Sequence, residues 1–317
     1  MKERTLLVGE PMGLFIAGEE GRLCDVSQYT FALAGAEFNV AIGMERLGQQ
    51  VGYYTKLGHD PFGQRIISVM NQNQISTELI TFSDERPTGF MLKSKVNSGD
   101  PEIFYFRKGS AASTISEADM DVLSLESYDA VHMTGITAAL TEGTQNAMFR
   151  LAQRARERRM RISFDPNLRP QLWKSREEMV DVINRLAYES DIFLPGINEL
   201  KILTDIVEPE KAAQYYLDRG VKLVVIKLGA DGAYYASHSE SGFVKGFEVK
   251  HIVDTVGAGD GFAAGFLSGI NEGLSVEQAV RQANAVGAVQ LMSIGDNDGL
   301  PTAEELERFM NRDPNWR

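Results

Sequence analysis

The amino-acid sequence predicts an α/β sandwich with a mostly parallel central sheet and a small antiparallel β lid packed over its mouth. Three observations lead to this fold class. Short apolar runs alternate with longer amphipathic stretches along the 317 residues, and such βαβ alternation is typical of α/β domains. Several runs are continuously apolar, as strands buried on both faces require. One segment, residues 88–108, instead contains two extended runs joined by a turn.

In the first half of the chain, strands are predicted from apolar runs and helices from periodicity. Phe38, Ile42 and Leu47 recur near helical spacing, and Gly48 then ends that helix. On these criteria we predict strands at residues 5–8, 12–17 and 51–57, and helices at residues 36–47 and 62–73.

The second half repeats the alternation with longer helices and fully apolar strands. Three of its strands are continuously apolar, which favours the centre of a parallel sheet. The predicted strands cover residues 128–133, 162–164, 192–194 and 223–227, and the predicted helices cover residues 141–159, 176–188, 209–219 and 261–270.

The segment that breaks the alternation predicts the lid. Residues 88–96 and 102–108 are extended runs joined by N-S-G-D, a sequence suited to a hairpin turn. In the second run Ile103, Tyr105 and Arg107 share one face, while Phe104 and Phe106 point the other way. We expect residues 12–17 and 31–33 to complete the lid sheet. Since no linker or internal repeat interrupts the chain, residues 1–317 are predicted to form one domain.

The charge balance limits the classes of partner. The chain carries 32 Lys and Arg against 44 Asp and Glu, a formal net charge of -12. A nucleic-acid binder that relies on its overall field has the opposite sign, so no nucleic-acid partner is expected. The same balance repels anionic metabolites at long range. Any bound anion must therefore be held by local groups.

Cysteine and hydropathy indicate the expected compartment. Cys24 is the only cysteine, which excludes an internal disulfide framework and a zinc site built from several cysteines. The apolar run at residues 5–8 is too short for a signal-peptide core, and no apolar stretch approaches the length of a membrane span. We therefore expect a cytoplasmic protein without a membrane partner.

A glycine-rich string near the carboxyl end predicts an anion site. Residues 254–260 read D-T-V-G-A-G-D and precede an apolar helix of small residues. Glycines let the backbone approach a ligand closely, and a helix amino end attracts phosphate oxygens. Asp260, in the first helical turn, is placed to accept a proton from an attacking hydroxyl. Taken alone, a bare G-x-G-D more often only packs and caps a helix.

The flanking residues make the string more specific, because it resembles the second signature of the PfkB (ribokinase-like) carbohydrate kinases. Other family elements recur in this chain: A-G-A-E-F-N-V-A at 34–41, G-H-D-P-F-G at 58–63 and K-L-G-A-D-G at 227–232. No Gly-Lys dipeptide occurs anywhere, so a Walker A loop is excluded. The resemblance implies a ribokinase-like three-layer sandwich that transfers phosphate from ATP, with Mg²⁺, to a sugar hydroxyl.

The resemblance also assigns roles to residues. It implies that Asp260 is the general base and that the nest of Gly257, Ala258 and Gly259 is the anion hole. Gly35 and Asn39 are expected to touch sugar hydroxyls. The residues expected to bind ATP are Lys227, Gly229, Gly232, Thr255, Gly257, Gly259 and Asn284.

The metal residues follow the family pattern only in part. The metal-organising N-x-x-E motif of the family reads G-I-N-E at 196–199, so its asparagine is absent. Glu199 is expected to organise Mg²⁺ through water. A helix cap by Asn198 with an acidic first turn is the alternative. A monovalent cation near Asp254 is common in the family.

Two further strings concern the substrate. D-P-N-L-R-P at 165–170 follows a buried strand, so Arg169 is expected at the carboxyl edge of the sheet, where ligands bind. Y-F-R-K-G-S-A-A-S at 105–113 resembles a run of the 2-keto-3-deoxygluconate kinases that ordinary fructokinases lack. Guanidinium groups of Arg107 and Arg169 suit the carboxylate of that sugar acid. Tyr105 and Phe90 are expected to shape the same pocket.

The sequence thus favours a kinase that converts 2-keto-3-deoxygluconate to 2-keto-3-deoxy-6-phosphogluconate, with a confined positive pocket inside an acidic protein. The alternatives are a fructokinase or ribokinase-type kinase of a neutral sugar, a nucleoside kinase, and a non-catalytic sugar-binding regulatory protein on the same fold. Because Phe104 and Phe106 are expected to be exposed on the outer lid face, the chain is also predicted to form a homo-oligomer through the lid.

Overall fold

The computed structural model describes residues 3–96 and 101–311. The predicted turn at residues 97–100 lies outside them. The strands of the described part are β1 (Arg4–Val8), β2 (Met12–Glu20), β3 (Tyr29–Ala34), β4 (Gln50–Gly58), β5 (Ile80–Ser83), β6 (Phe90–Lys95), β7 (Ile103–Phe106), β8 (Ala130–Thr134), β9 (Arg161–Asp165), β10 (Ile192–Phe193), β11 (Leu223–Lys227), β12 (Gly232–Ser237) and β13 (Ser241–Lys245). Its α-helices are α1 (Ala36–Arg46), α2 (Pro61–Gln72), α3 (Glu117–Val122), α4 (Gly135–Ala138), α5 (Glu142–Glu157), α6 (Arg176–Tyr188), α7 (Ile197–Thr204), α8 (Pro209–Leu217), α9 (Ala258–Asn271), α10 (Val276–Gln290) and α11 (Ala303–Met310).

The large sheet confirms the predicted fold class. Its strand order over the described residues is β13-β12-β11-β10-β9-β8-β1-β4-β5. Every pairing from β5 to β11 is parallel, whereas β11–β12 and β12–β13 are antiparallel. The parallel strands end at a common edge, which is where open α/β sheets bind ligands.

Helices cover both faces of this sheet. In β1 and β11, successive side chains enter opposite cores: Leu6 packs on one side with helices α5, α6 and α8, and Leu7 on the other with helices α1, α9 and α10. Continuous apolar strands such as L-V-V-I-K in β11 are explained by this two-sided burial. The result is the three-layer sandwich.

The smaller sheet is the lid, with strand order β3-β2-β6-β7. Its outer pairs, β2–β3 and β6–β7, are antiparallel, but β2 and β6 run parallel. Two of the three pairings are therefore antiparallel, as predicted for the lid, and the β2–β6 pairing adds a parallel one. Two of its strands, β2 and β3, extend beyond the predicted ranges, and β6 and β7 are shorter than predicted.

The lid has one face toward the sandwich and one aromatic outer face. Because Phe90 pairs with Phe106 in register, both side chains lie on the outer face, where their rings stack at 4.6 Å. This corrects the expectation that Phe90 and Tyr105 shape the same pocket, because Tyr105 lines the cavity and Phe90 does not. Met91, which pairs with Tyr105, takes the inner position instead. None of the described helices is long and apolar enough to cross a membrane.

Candidate active site

A cavity of about 580 Å³ lies between the lid and the carboxyl edge of the large sheet. The lid contributes Met91, Ile103 and Tyr105, the sheet edge contributes Asp165 and Lys227, and the start of α9 supplies the floor. The predicted site residues that line this cavity are Gly35, Asn39, Tyr105, Arg107, Arg169, Glu199, Lys227, Thr255, Gly257, Gly259 and Asp260.

Helix α9 begins at the glycine-rich string. Gly257 is its N-cap, with a left-handed φ of 81°. A Cβ added there would lie 2.1 Å from the carbonyl oxygen of Asp296, so backbone contact requires glycine. A Cβ added at Gly259 would find only the Lys227 Nζ within 4 Å, at 3.8 Å. The helix amino end therefore opens onto free space beside an ammonium group, as an anion site requires.

Asp260 lies in the first turn of α9 and is nine-tenths buried. Its Oδ2 accepts a hydrogen bond from Asn39 Nδ2 at 2.7 Å, and its Oδ1 accepts one from Asn167 Nδ2 at 3.2 Å. Burial raises the pKa of Asp260 to about 7, and the bond from Asn39 opposes this rise. A carboxylate with a pKa near neutrality can accept a proton from an alcohol and release it afterwards.

Lys227 is tied to the sheet edge beside this carboxylate. Its Nζ lies 2.6 Å from Asp165 Oδ2. Burial is the largest single influence and lowers the pKa of Lys227, but the carboxylates of Asp165 and Glu199 together outweigh it, so that the pKa is raised. The ammonium is thereby kept charged next to Gly259.

Arg107 is held by a carboxylate that sequence reasoning did not identify. Its Nε donates to Glu10 Oε2 at 2.6 Å, and its Nη2 lies 2.5 Å from the same oxygen. Both side chains are buried, at 6% and 1% exposure. Ser110 also donates a short hydrogen bond to Glu10. Glu10 therefore fixes the guanidinium orientation and neutralises its charge.

Arg169 differs from the other two cations of the cavity. Its Nη1 donates to the carbonyl oxygen of Leu168 at 2.9 Å, and it forms no ion pair within residues 3–96 and 101–311. In the described part of the chain, three cations and five carboxylates line the cavity. The prediction of a positive pocket is therefore wrong, because the formal charges that line the cavity add up to a negative value. The groups that can meet an anion are the Arg169 guanidinium, the Lys227 ammonium and the amino end of α9.

Glu199 is a structural part of the cavity wall. Its two carboxylate oxygens accept backbone N–H groups, Oε2 from Gly196 and Oε1 from Leu168, each at 2.7 Å. Burial raises its pKa. Gly196 is the N-cap of α7 and Asn198 lies in the first turn, so the alternative of a cap by Asn198 does not apply.

Several predicted residues lie outside the cavity lining. Asn284 donates to the carbonyl oxygens of Val244 and Lys245, which ties α10 to β13. Gly229 and Gly232 shape the turn between β11 and β12, with left-handed φ values of 64° and 111°. Ala258, the first residue of α9, also does not line the cavity.

The structure adds residues that the sequence did not single out. Glu10, Met91, Ile136 and Asp296 line the cavity. Asn167 was part of the D-P-N-L-R-P string, and its left-handed φ of 35° turns its amide toward Asp260. That string was the only available signal, because the other residues come from segments without a recognisable motif.

Comparison with known proteins identifies the family of the chain. Residues 2–303 match the pfkB family carbohydrate kinases. The chain is 44% identical over 312 residues to the 2-dehydro-3-deoxygluconokinase of Bacillus subtilis (strain 168), covering 98% of this chain and 96% of the relative. It is 31% identical over 309 residues to the enzyme of the same name from Thermoproteus tenax, covering 96% and 93%.

Solved structures show the same architecture. The PfkB protein from Polaromonas sp. JS666 superimposes with a TM-score of 0.89 at 40% identity, over 96% of this chain and 99% of that one. A putative ribokinase II from E. coli, in complex with ATP and Mg²⁺, gives a TM-score of 0.88 at 25% identity, over 98% and 99%. The predicted ribokinase-like fold is confirmed. The chain belongs to the pfkB family of carbohydrate kinases.

Proposed function

We propose that the protein is an ATP-dependent kinase of 2-keto-3-deoxygluconate, the sugar acid also called 2-dehydro-3-deoxygluconate. The observation that carries the proposal is one cavity that contains a buried carboxylate at a helix amino end together with the Arg169 guanidinium. The former suits phosphate transfer to an alcohol, and the latter suits a substrate carboxylate. The names of the two relatives support the same substrate.

In this mechanism Asp260 accepts the proton of the substrate's primary hydroxyl as that oxygen attacks the γ-phosphorus. The O–P bond to the sugar forms, the bond to the ADP oxygen breaks, and the product is 2-keto-3-deoxy-6-phosphogluconate. Asn39 and Asn167 hold the carboxylate in position through their amide donors. Since this chemistry demands mainly alignment and charge stabilisation, a fixed base is the appropriate device.

The nucleotide side is assigned to the start of α9. The backbone N–H groups of residues 257–259 and the Lys227 ammonium are proposed to bind phosphate oxygens; Gly257, Gly259, Lys227 and Thr255 line the cavity. Among the described residues no cluster of three or more His, Cys, Asp or Glu side chains is arranged to hold a metal ion. Glu199 has both oxygens engaged and would act through water. Mg²⁺, bound with ATP, supplies charge neutralisation on the phosphates while retaining waters.

The sugar acid is assigned to the lid side of the cavity. Arg169 binds the carboxylate, and Arg107, oriented by Glu10, adds a second donor without adding net charge. Gly35, proposed to contact the sugar, lets the Glu10 backbone pack closely against this wall, because its φ is 138° and a Cβ there would lie 2.6 Å from the Glu10 carbonyl oxygen. Asn39 is proposed to contact a sugar hydroxyl in addition to its hydrogen bond to Asp260.

The test is ADP release in a coupled assay with ATP, Mg²⁺ and each sugar, first with wild type and then with Arg169→Met and Arg107→Ala. Loss of a charged hydrogen bond weakens binding by about 1.5–3 kcal/mol, or about 10- to 100-fold in KM. The KM for the acid sugar should rise by this factor in Arg169→Met. Preference for fructose, or an Arg107→Ala enzyme unchanged on the acid sugar, would contradict the proposal. Sugar binding without ADP release would favour the regulatory alternative.

The outer lid face is proposed to join two copies of the chain. Phe104, Phe106 and Phe31 are 55%, 46% and 41% exposed, and their rings continue into the stack formed by Phe90 and Phe62. Exposed apolar patches of this kind mark association surfaces. Phe104→Ser should lower the mass measured by light scattering, with the exposed Val122→Ser as a control on a different surface. An unchanged mass for Phe104→Ser would refute this interface.

A cytoplasmic location is proposed from the cysteine content of the chain. The single thiol, Cys24, is free and exposed, which suits a reducing compartment.

A further inference from the structure

The lid carries a buried lysine that reaches the segment in front of the anion hole. Lys93, on β6, has a side chain only 3% exposed. Its Nζ lies 2.6 Å from Asp254 Oδ2 and 3.4 Å from Asp296 Oδ1. The two carboxylates are themselves 11% and 5% exposed. One ammonium therefore joins the lid to two segments that are distant in sequence.

Both carboxylates belong to segments that shape the start of α9. Asp254 accepts the backbone N–H of Val256 at 3.1 Å through Oδ1, and that of Gly295 at 3.4 Å through Oδ2. The backbone of Asp296 lies directly against Gly257. Holding these two carboxylates together thus fixes the loop that presents the anion hole.

The next residue connects the same segment to the base. Asn297 Nδ2 donates to Asn39 Oδ1 at 2.8 Å, and Asn39 donates to Asp260. A displacement at Asp296 is therefore transmitted through two hydrogen bonds to the proton acceptor. Burial raises the pKa of Asp296 to about 6, and the charge of Lys93 opposes that rise.

Two buried carboxylates beside an anion hole would repel the phosphates that it must bind. One positive charge at this point removes most of that repulsion. The family resemblance implies a monovalent cation near Asp254, but the ammonium of Lys93 already lies within hydrogen-bond distance of this carboxylate. A second cation at the same oxygen would be repelled by the first, so such an ion does not fit this chain.

We propose that Lys93 is a positioning residue that supplies, from the lid, the positive charge at Asp254 and Asp296, and so makes the anion-hole loop independent of added monovalent cations. Because β6 carries this charge, the lid strand and the anion-hole loop are joined directly by these ion pairs. The proposal rests on the proposed kinase function only for its turnover measurement.

The first test measures thermal unfolding of the ligand-free protein in chloride salts of K⁺, Na⁺, ammonium or tetramethylammonium at equal ionic strength. The wild-type melting temperature should be the same in all four. In tetramethylammonium the melting temperature of Lys93→Ala should be lower than that of wild type. It should rise with the concentration of K⁺ or ammonium, because an ion that binds only the folded state stabilises that state. Lys95→Ala, a change at an exposed lysine of the same strand, should show neither effect.

The second test measures turnover in the same salts. Wild-type turnover should not depend on the cation, whereas Lys93→Ala should lose about 10²-fold and regain activity with ammonium. A wild-type enzyme that requires K⁺, or a Lys93→Ala variant without any cation response, would overturn the proposal. If Lys93→Ala does not fold, the wild-type cation profile and a Lys93→Arg variant, which should retain cation independence, decide the matter. If no sugar caused ADP release, the proposed function would be overturned. The melting experiment would then still test the positioning role of Lys93.

Discussion

Replacing Asn39 by alanine tests whether Asp260 is the base. The Asn39 amide donates to Asp260 Oδ2 at 2.7 Å and lowers the pKa of a carboxyl that burial raises to about 7. A hydrogen bond to a charged group contributes about 1.5–3 kcal/mol, and one pKa unit corresponds to about 1.36 kcal/mol. Removing the donor should therefore raise the pKa by about 1–2 units.

The assay is the pH profile of kcat/KM, which reports the ionisation of the free enzyme. In wild type the acid limb should fall below an apparent pKa of about 7, because the protonated base is inactive. In Asn39→Ala the limb should move to about pH 8–9, so activity at neutral pH falls about 10- to 100-fold and returns as the pH rises. Asn71→Ala, on the exposed face of α2, is the control and should leave the limb in place. An unmoved limb in Asn39→Ala would refute the assignment of the base.

Three further outcomes are expected. Asp260→Asn should abolish turnover yet stabilise the fold. The pKa of Asp260 in the folded protein, about 7, exceeds its ordinary value of 3.8. The free energy of unfolding of wild type therefore falls as pH rises between these values, by at most about 4 kcal/mol. The difference in melting temperature between variant and wild type should accordingly grow from pH 4 to pH 8, and a constant difference would contradict it. Gly257→Ala should destabilise the folded protein by about 1–3 kcal/mol and lower turnover by a factor of about 10² or more, because the new Cβ meets the Asp296 carbonyl oxygen. Near-normal kinetics in this variant would exclude a tight anion-hole turn. Phe106→Ser should lower the mass in solution together with Phe104→Ser, and discordant effects would argue against a continuous interface.

The elements predicted most accurately are those in which several local sequence signals, such as caps and apolar patterns, agree. Helix α6 (Arg176–Tyr188) and strand β11 (Leu223–Lys227) have the predicted bounds. The first has a serine N-cap at Ser175, and the second is an apolar run of four residues that ends at Lys227. The β12–β13 hairpin and α10 were not predicted. Helix α10 does have a serine N-cap, Ser275, and a capping box with Gln278, but much of the stability of both elements comes from packing against neighbours.

The site was predictable where a motif brings its residues together in sequence. Gly257 and Asp260 lie within one string, so their proximity needs only a local turn. Lys93 and Asp254 are separated by 161 positions, and no periodicity in the sequence relates them. The position of Phe90 depended on the register of β6 against β7, in which a change of one residue exchanges the two faces.

The most direct test of the account is the ratio of kcat/KM for 2-keto-3-deoxygluconate to that for fructose, measured with the same wild-type enzyme, ATP and Mg²⁺. The two substrates differ in the carboxylate, which Arg169 is proposed to bind, and in the 3-hydroxyl group, which the acid sugar lacks. A charged pair contributes about 1.5–3 kcal/mol, so the acid sugar should be preferred by about 10-fold to 100-fold. Equal or greater turnover of fructose would contradict the central claim.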